Sequence, residues 1–402
     1  MKNKKVIMIT GSIVILLVLI AGVALGIYKV HENQKMENKE VVYELPAILP
    51  LSGEIYYLGE SAKWAIDYAV DEINAAGGIN GIPVHTTFYD SEFNKNRSKD
   101  IAEKLVKTQR FLIGPVDSNG TAAIADIIRE SGTPDVATYS FESVREQSAP
   151  YGISYMSDST TGEIAAIDIW KELNPDIEKV VIVINKGESS QMETADLLQD
   201  KLTELDMKLL RVIEIDAALN NGLNAVVEAL NTNADGYIIL ARTENYVKFV
   251  AEMRQRGITD GRRFTASFAG YEIPLIQEYR EQLSGTYIWN KFDCDYKGEE
   301  WQKLLAAYKK DHDGNVPGSC IVSEMYNVVY AWKACIEELN LSPEVLNLKE
   351  EKKSIADWFY NSSVQHGIQG DYQWIRGNKL TSVYYFKIND EGIPKRVEMP
   401  VY

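Results

Sequence analysis

From Val42 onward the chain alternates short apolar runs with longer stretches whose apolar residues recur every three or four positions. Val42 to Leu49 is a β-type run ended by Pro50. Ser61 to Ala75 predicts a helix, because Ala62, Ala65, Ile66, Ala69, Val70 and Ile73 fall on one face. Gly77-Gly78 stops it, where helices favour glycine. Val84–Tyr89 then reads as a strand, Ser98–Lys107 as a helix, Phe111–Ile113 as a short buried strand ended by Gly114-Pro115, and Thr121–Glu130 as a helix. Lys179–Ile184 (KVVIVI) is apolar on both faces, as a buried parallel strand should be. Helices are predicted over Glu193–Leu205, Leu223–Leu230 and Asn245–Arg256, with strands at Leu209–Ile215 and Gly236–Leu240 between them. The last third is less regular. A strand at Tyr287–Phe292 precedes helices over Glu299–Lys310 and Ser323–Leu339, and Asp371–Lys395 reads as a hairpin with turns at Gly377-Asn378 and Asn389–Gly392.

This rhythm predicts an α/β fold of two doubly wound parallel-sheet lobes, because it occurs once before and once after about residue 158. A chain of 402 residues also exceeds one ordinary core. In open parallel sheets ligands bind beyond the carboxyl ends of the strands, so the segments just after each strand are the ones to watch.

The N-terminus has a different texture. Lys2, Lys4 and Lys5 precede an uncharged run from Val6 to Tyr28. As a helix that run would rise about 34 Å, enough for a hydrocarbon core of about 30 Å. Lysines ahead of it favour a cytoplasmic N-terminus, which places the rest of the chain outside. Residues 1–30 therefore read as a transmembrane anchor, crossing at 6–28, or as a signal segment cleaved near Gly22-Val23-Ala24, in which case the protein is secreted. No cysteine lies nearby to carry a lipid. Residues 31–42 are mostly polar and read as a stalk.

The formal net charge is −16, and without the three N-terminal lysines the exported part reaches −19. Such a surface repels polyphosphates and excludes nucleic acid as a partner. The three cysteines are Cys294, Cys320 and Cys335. Cys335 shares a helical stripe with Met325, Val328, Val329 and Trp332 and reads as a buried thiol; a Cys294–Cys320 disulfide stays open. No cysteine pair has metal-knuckle or redox spacing, and no metal or cofactor is expected. The chain lacks a GxSxG elbow, a Walker-type loop and an HExxH pair, and His31, His85, His312 and His366 are scattered, so no catalytic residue is assigned.

The stretch LPLSGEIYYLGESAKWAIDYAVDEINAAGGING (Leu49–Gly81) resembles the opening of the leucine/isoleucine/valine-binding family of ABC-importer solute-binding proteins. Further likeness lies in IGPVDSNGT (Ile113–Thr121), KVVIVI, MYNVVYAW (Met325–Trp332) and GIQGDYQWIRGN (Gly367–Asn378). The resemblance implies the type I periplasmic-binding-protein clam-shell with three crossovers, near residues 158, 289 and 367. Lobe one would then hold 43–158 completed by 290–366, and lobe two 159–289 completed by 367–402. It further implies capture of an amino acid or similar small polar solute and delivery to an ABC-importer permease in the membrane. A ligand-sensing ectodomain that signals to a membrane partner is the alternative.

Carried over residue by residue, the resemblance puts Ser118, followed by Asn119, where the family binds a ligand carboxylate; a helix cap before Thr121 is the other reading. Ser140 and Glu142 match a second ligand-contacting stretch, although the family favours a small hydroxyl where Glu142 stands. Tyr56 and Tyr57 follow the first loop and are placed to stack on a solute. Ser190 falls where a pocket aromatic is usual. Arg242 follows the GYIIL strand as a partner for an anionic group, or as a rim arginine paired with Glu244. In SFAGY (Ser267–Tyr271) the family supplies an ammonium-binding acid and this chain has Phe268, near Tyr271. That departure argues against a plain branched-chain amino acid.

Overall fold

The computed structural model describes residues 41–397, apart from 140, 217–221, 269–270 and 382. The expected anchor at 6–28 and nearly all of the stalk lie outside those residues. No described helix is long and apolar enough to cross a membrane.

The first lobe is built on strands β1 (Tyr43–Leu49), β2 (Val84–Asp90), β3 (Leu112–Ile113), β4 (Asp135–Ala137) and β5 (Gly152–Ser154), all parallel and in the order β2-β1-β3-β4-β5. Helices α1 (Tyr56–Ala75), α2 (Lys95–Leu105), α3 (Ser118–Ser131) and α4 (Glu142–Ser148) connect them. β1 is buried at every position but Glu44, as a strand covered on both faces requires. Its alternate residues feed two clusters: Leu45, Ala47 and Leu49 join the larger one with the apolar face of α1, and Ile48 joins Leu105, Ile124 and Ile128 on the other side. Helix α1 begins at Tyr56, earlier than the predicted Ser61, because its first turn exposes Tyr56 and Tyr57 and carries no apolar stripe to announce it.

The chain then crosses to the second lobe: α5 (Ser159–Leu173), β6 (Lys179–Asn185), α6 (Ser189–Glu204), β7 (Lys208–Ile215), α7 (Gly222–Asn231), β8 (Gly236–Ile239), α8 (Thr243–Gln255), β9 (Phe264–Ala266), the short helices α9 (Ile273–Glu278) and α10 (Arg280–Leu283), and β10 (Tyr287–Asn290). It returns to the first lobe for α11 (Glu299–Asp311), α12 (Ile321–Glu338), α13 (Leu348–Tyr360) and a small antiparallel sheet, β11 (Gln365–Gly367), β12 (Gly370–Ile375) and β13 (Asn378–Leu380). It ends in the second lobe with β14 (Tyr384–Ile388) and β15 (Pro394–Arg396). The second sheet has the order β15-β14-β10-β9-β8-β6-β7, parallel from β7 to β10 and antiparallel at β14 and β15.

One expectation needs correction, and one question left open by the sequence is answered. The third crossover falls after Leu380, which ends β13 in the first lobe, and before Tyr384, which opens β14 in the second, instead of near 367. Residues 365–380 stay with the first lobe because Trp374 donates its indole N–H to Ser154 O at 2.7 Å, Gly377 O accepts from Ser154 N at 2.8 Å, and Lys379 pairs with Glu324 in α12. The Cys294–Cys320 disulfide does not form. All three thiols are free: Cys294 faces Pro317 O, Cys320 is buried at the head of α12, and Cys335 is buried within it.

Candidate cleft between the lobes

Each central parallel strand delivers its following segment to the edge where the lobes face one another. The loop after β1 is fixed by Asp90 at the end of β2. Its Oδ1 accepts from the backbone N–H of Leu51, Ser52 and Glu92 at 3.0, 3.2 and 2.8 Å, and its Oδ2 accepts from the Ser52 hydroxyl at 2.7 Å. Burial works against this carboxylate, but the Ser52 hydroxyl and those amides hold its pKa below the ordinary value. The clasp sets the position of Tyr56 and Tyr57, whose rings meet edge-on at 6.4 Å.

Tyr57 is 50% exposed and belongs to the first lobe. Its hydroxyl is pushed up first by burial and then by the Glu272 carboxylate, with Glu244 and Glu54 adding and Arg242 opposing. Glu272, Glu244 and Arg242 all belong to the second lobe, so Tyr57 faces across the cleft. Arg242 caps α8, and its side chain pairs at 2.6 Å with Glu188 at the start of α6, not with Glu244. Its backbone N–H donates to Asn185 Oδ1 at 2.8 Å, which locks the ends of β6 and β8 together. Burial raises the pKa of Glu272, helped by its neighbour Glu244.

At the end of β3 the helix cap is Asp117, one residue before the expected Ser118. Its Oδ1 accepts from Gly120 N at 2.6 Å, while its Oδ2 is buried without a partner, and burial raises its pKa. Ser118 and Asn119 are exposed in the first turn of α3. Glu142 is exposed at the first residue of α4. Ser140 and the side chain of Ser190 lie outside what the structure describes.

The floor of the cleft is charged and buried. Arg145 bridges Asp158 at 2.9 Å where the first crossover begins. Lys291, in the second crossover, donates to Ser157 O at 2.7 Å and lies 4.2 Å from the centre of the Phe268 ring. Phe268 therefore packs on a protein cation and against Trp289, at 5.1 Å. Burial lowers Lys291 to about 8, against the raising effect of Cys320, Asp158, Glu324 and Glu163. Glu163 on α5 is 3% exposed. Burial pushes it up to about 7, opposed by the Ser267 hydroxyl, the Trp289 indole and the Lys291 ammonium. Tyr271 is buried between Phe292 and Phe386, at 5.6 and 5.5 Å, and belongs to the packing beneath the second crossover.

The structure thus gathers Tyr57, Arg242 and Phe268 toward one cleft and sinks Tyr271 into the core. Asp117, Glu163, Glu188 and Lys291 escaped the sequence reading. A signal existed for two of them: Lys291 directly follows the mostly apolar run Tyr287–Asn290, and Asp117 stands two residues after Pro115 with a helix behind it. Among the described residues no cluster of histidine, cysteine and carboxylate side chains is arranged to hold a metal.

A family model described as periplasmic binding protein matches residues 43–387. Among curated relatives, the Leu/Ile/Val-binding protein BraC3 of Rhizobium johnstonii is 35% identical over 86 residues, 21% of this chain and 23% of the relative. The leucine-, isoleucine-, valine-, threonine- and alanine-binding protein of Pseudomonas aeruginosa is 29% identical over 84 residues, 21% of this chain and 22% of that one. These matches span about a quarter of the relatives' length. Among solved structures, the leucine-binding protein LivK of Thermotoga maritima aligns with a TM-score of 0.75 at 18% identity, covering 89% of this chain and 98% of that one. A solute-binding protein of an ABC transporter from Rhodopseudomonas palustris, in complex with p-hydroxybenzoic acid, aligns at 0.74 and 16% identity, covering 87% and 93%. At these identities the likeness is one of fold, the type I periplasmic-binding-protein fold with parallel sheets.

Proposed function

Because the chain belongs to the periplasmic binding protein family, we propose that it captures a small solute between its two lobes and presents it to an ABC importer in the membrane. The observation that carries this reading is the opposition of Tyr57 on one lobe to Arg242, Glu244 and Glu272 on the other, at the carboxyl edges of two parallel sheets. A solute touching both sides makes its full set of contacts only when the lobes close, so binding shifts the population toward the closed form that a permease reads. The role is recognition without a chemical step.

The reading includes an uncleaved helix at 6–28 that tethers the binding lobes outside the cell, since no cysteine follows that segment to take a lipid. Mass measurement of the protein from membranes tests it: a chain lacking its first two dozen residues contradicts the tether. Capture is tested by a thermal-shift screen against amino acids, aromatic acids, amines, amides and short peptides. A true solute at about 100 times its Kd adds about 2.7 kcal/mol of stability. A melting point that no small solute moves defeats the reading.

A further inference from the structure

The chain passes between the lobes three times: at 155–158 between β5 and α5, at 291–298 between β10 and α11, and between β13 and β14. A segment that leaves a sheet loses the strand partners of its N–H and C=O groups. Connections on the surface replace them with water. Here Ser157, Asp158, Lys291 and Asp293 each expose 7% or less, so their backbone groups must be met by the protein itself.

They are met by side chains reaching in from another crossover or its landing. Lys291, in the second crossover, donates to Ser157 O in the first at 2.7 Å and to Met156 Sδ at 3.1 Å. Gln369, 9% exposed, serves the second crossover through both ends of its amide: Oε1 accepts from Asp293 N at 2.9 Å, and Nε2 donates to Asp293 O at 3.0 Å. The Gln369 backbone O in turn accepts from the Tyr384 hydroxyl at 3.0 Å. Tyr384 is where the third crossover lands on the second lobe, in register with Asn290 at the start of the second. Asn378, at the head of the strand that leads into the third crossover, accepts from Asp158 N in the first at 3.1 Å. Each pair of crossovers is thus tied, and the ties close a triangle. Breaking one of them leaves a buried backbone group unmet, which is the costly way to lose a hydrogen bond.

We propose that Lys291, Gln369 and Asn378 lace the three crossovers into one coupled hinge, so that the lobes close in a single concerted motion. Separately bending crossovers would let a solute that touches one side of the cleft draw the lobes partly together. A laced hinge passes between open and closed as a whole, and the solute must make contacts on both lobes to hold it closed. The proposal rests on the solute-capture reading for its purpose. Its test uses no solute, so either reading can fail while the other stands.

That test is hydrogen exchange of the full chain in detergent, followed by mass spectrometry of peptides spanning each crossover. Gln369→Ala removes the tie between the second and third crossovers and touches nothing in the first. Asn378→Ala removes the tie between the first and third and touches nothing in the second. In each variant the crossover that lost no bond should also exchange several-fold faster, while β1 and β6 keep their protection. Faster exchange confined to the crossovers that lost a bond overturns the coupling. Unchanged exchange at all three overturns it as well. An even rise through both sheets overturns it too, because the ties would then hold the fold at large and not the hinge.

Discussion

The rim and the floor of the cleft treat charge in opposite ways. On the floor every charged group sits close to an opposite one: Arg145 with Asp158 at 2.9 Å, Lys291 near Glu163 and Asp158, and nearby Lys379 with Glu324. On the rim, Glu54, Glu142, Glu244 and Glu272 have no ion-pair partner among the described residues. Water screens a rim carboxylate cheaply, whereas a buried one must find a partner or a proton. The floor is thus constrained by folding, and the rim is free to be set by what it binds.

The largest expected effect breaks the floor. Lys379 is wholly buried and Glu324 is 3% exposed. Lys379→Met strands that carboxylate and should remove about 3–5 kcal/mol of stability in denaturant melts, while Lys379→Met with Glu324→Leu should recover most of it. Equal losses in the single and double variants would show that packing, not pairing, holds the β12–β13 hairpin.

Next comes pH. Glu163 is raised to about 7 from an ordinary 4.5, so the folded chain holds a proton that the unfolded chain has released. Its contribution is full below about 4.5 and is lost as pH rises through 7. Lys291 is lowered to about 8 from 10.5, so its contribution is present above 10.5 and lost as pH falls through 8. Together they place the stability minimum from this pair between 7 and 8. Glu163→Gln should raise stability at pH 8 by about 1–3 kcal/mol and flatten the acidic limb. A melting profile whose acidic limb keeps its slope in that variant refutes the assignment.

The smallest stability effects belong to the rim. Arg242→Ala loses an ion pair with half-exposed partners and should change stability by less than about 1 kcal/mol. Its effect on solute affinity should be larger, because it frees Glu188 to face the cleft. Glu54→Gln should leave the melting point within about 0.5 kcal/mol and lower the salt dependence of solute association. A destabilisation above 2 kcal/mol in either variant would erase the contrast between rim and floor.

Much of the framework was legible in the chain. The stripe Ala62, Ala65, Ile66, Ala69, Val70 and Ile73 is the buried face of α1, and KVVIVI is the buried strand β6. Helix α5 went unpredicted, since Gly162 and Glu163 interrupt its apolar face. That interruption has a tertiary cause: Gly162 makes room for the Trp289 ring, and Glu163 answers Lys291. The third crossover was misplaced for a similar reason, because a hairpin pattern does not name the lobe that will hold it.

By itself the sequence determined periodicity, and periodicity sets strands, helices and the doubled α/β rhythm, because burial of a stripe is a local demand on spacing. The tertiary structure decided which charges meet. Arg242 has Glu244 two residues away and pairs with Glu188, 54 positions back, because the ends of β8 and β6 lie side by side in the sheet. Tyr57 and Glu272 are 215 positions apart in the chain, and the Glu272 carboxylate acts on the Tyr57 hydroxyl. Coulomb energy depends on distance in space and on local burial, and the fold alone supplies both.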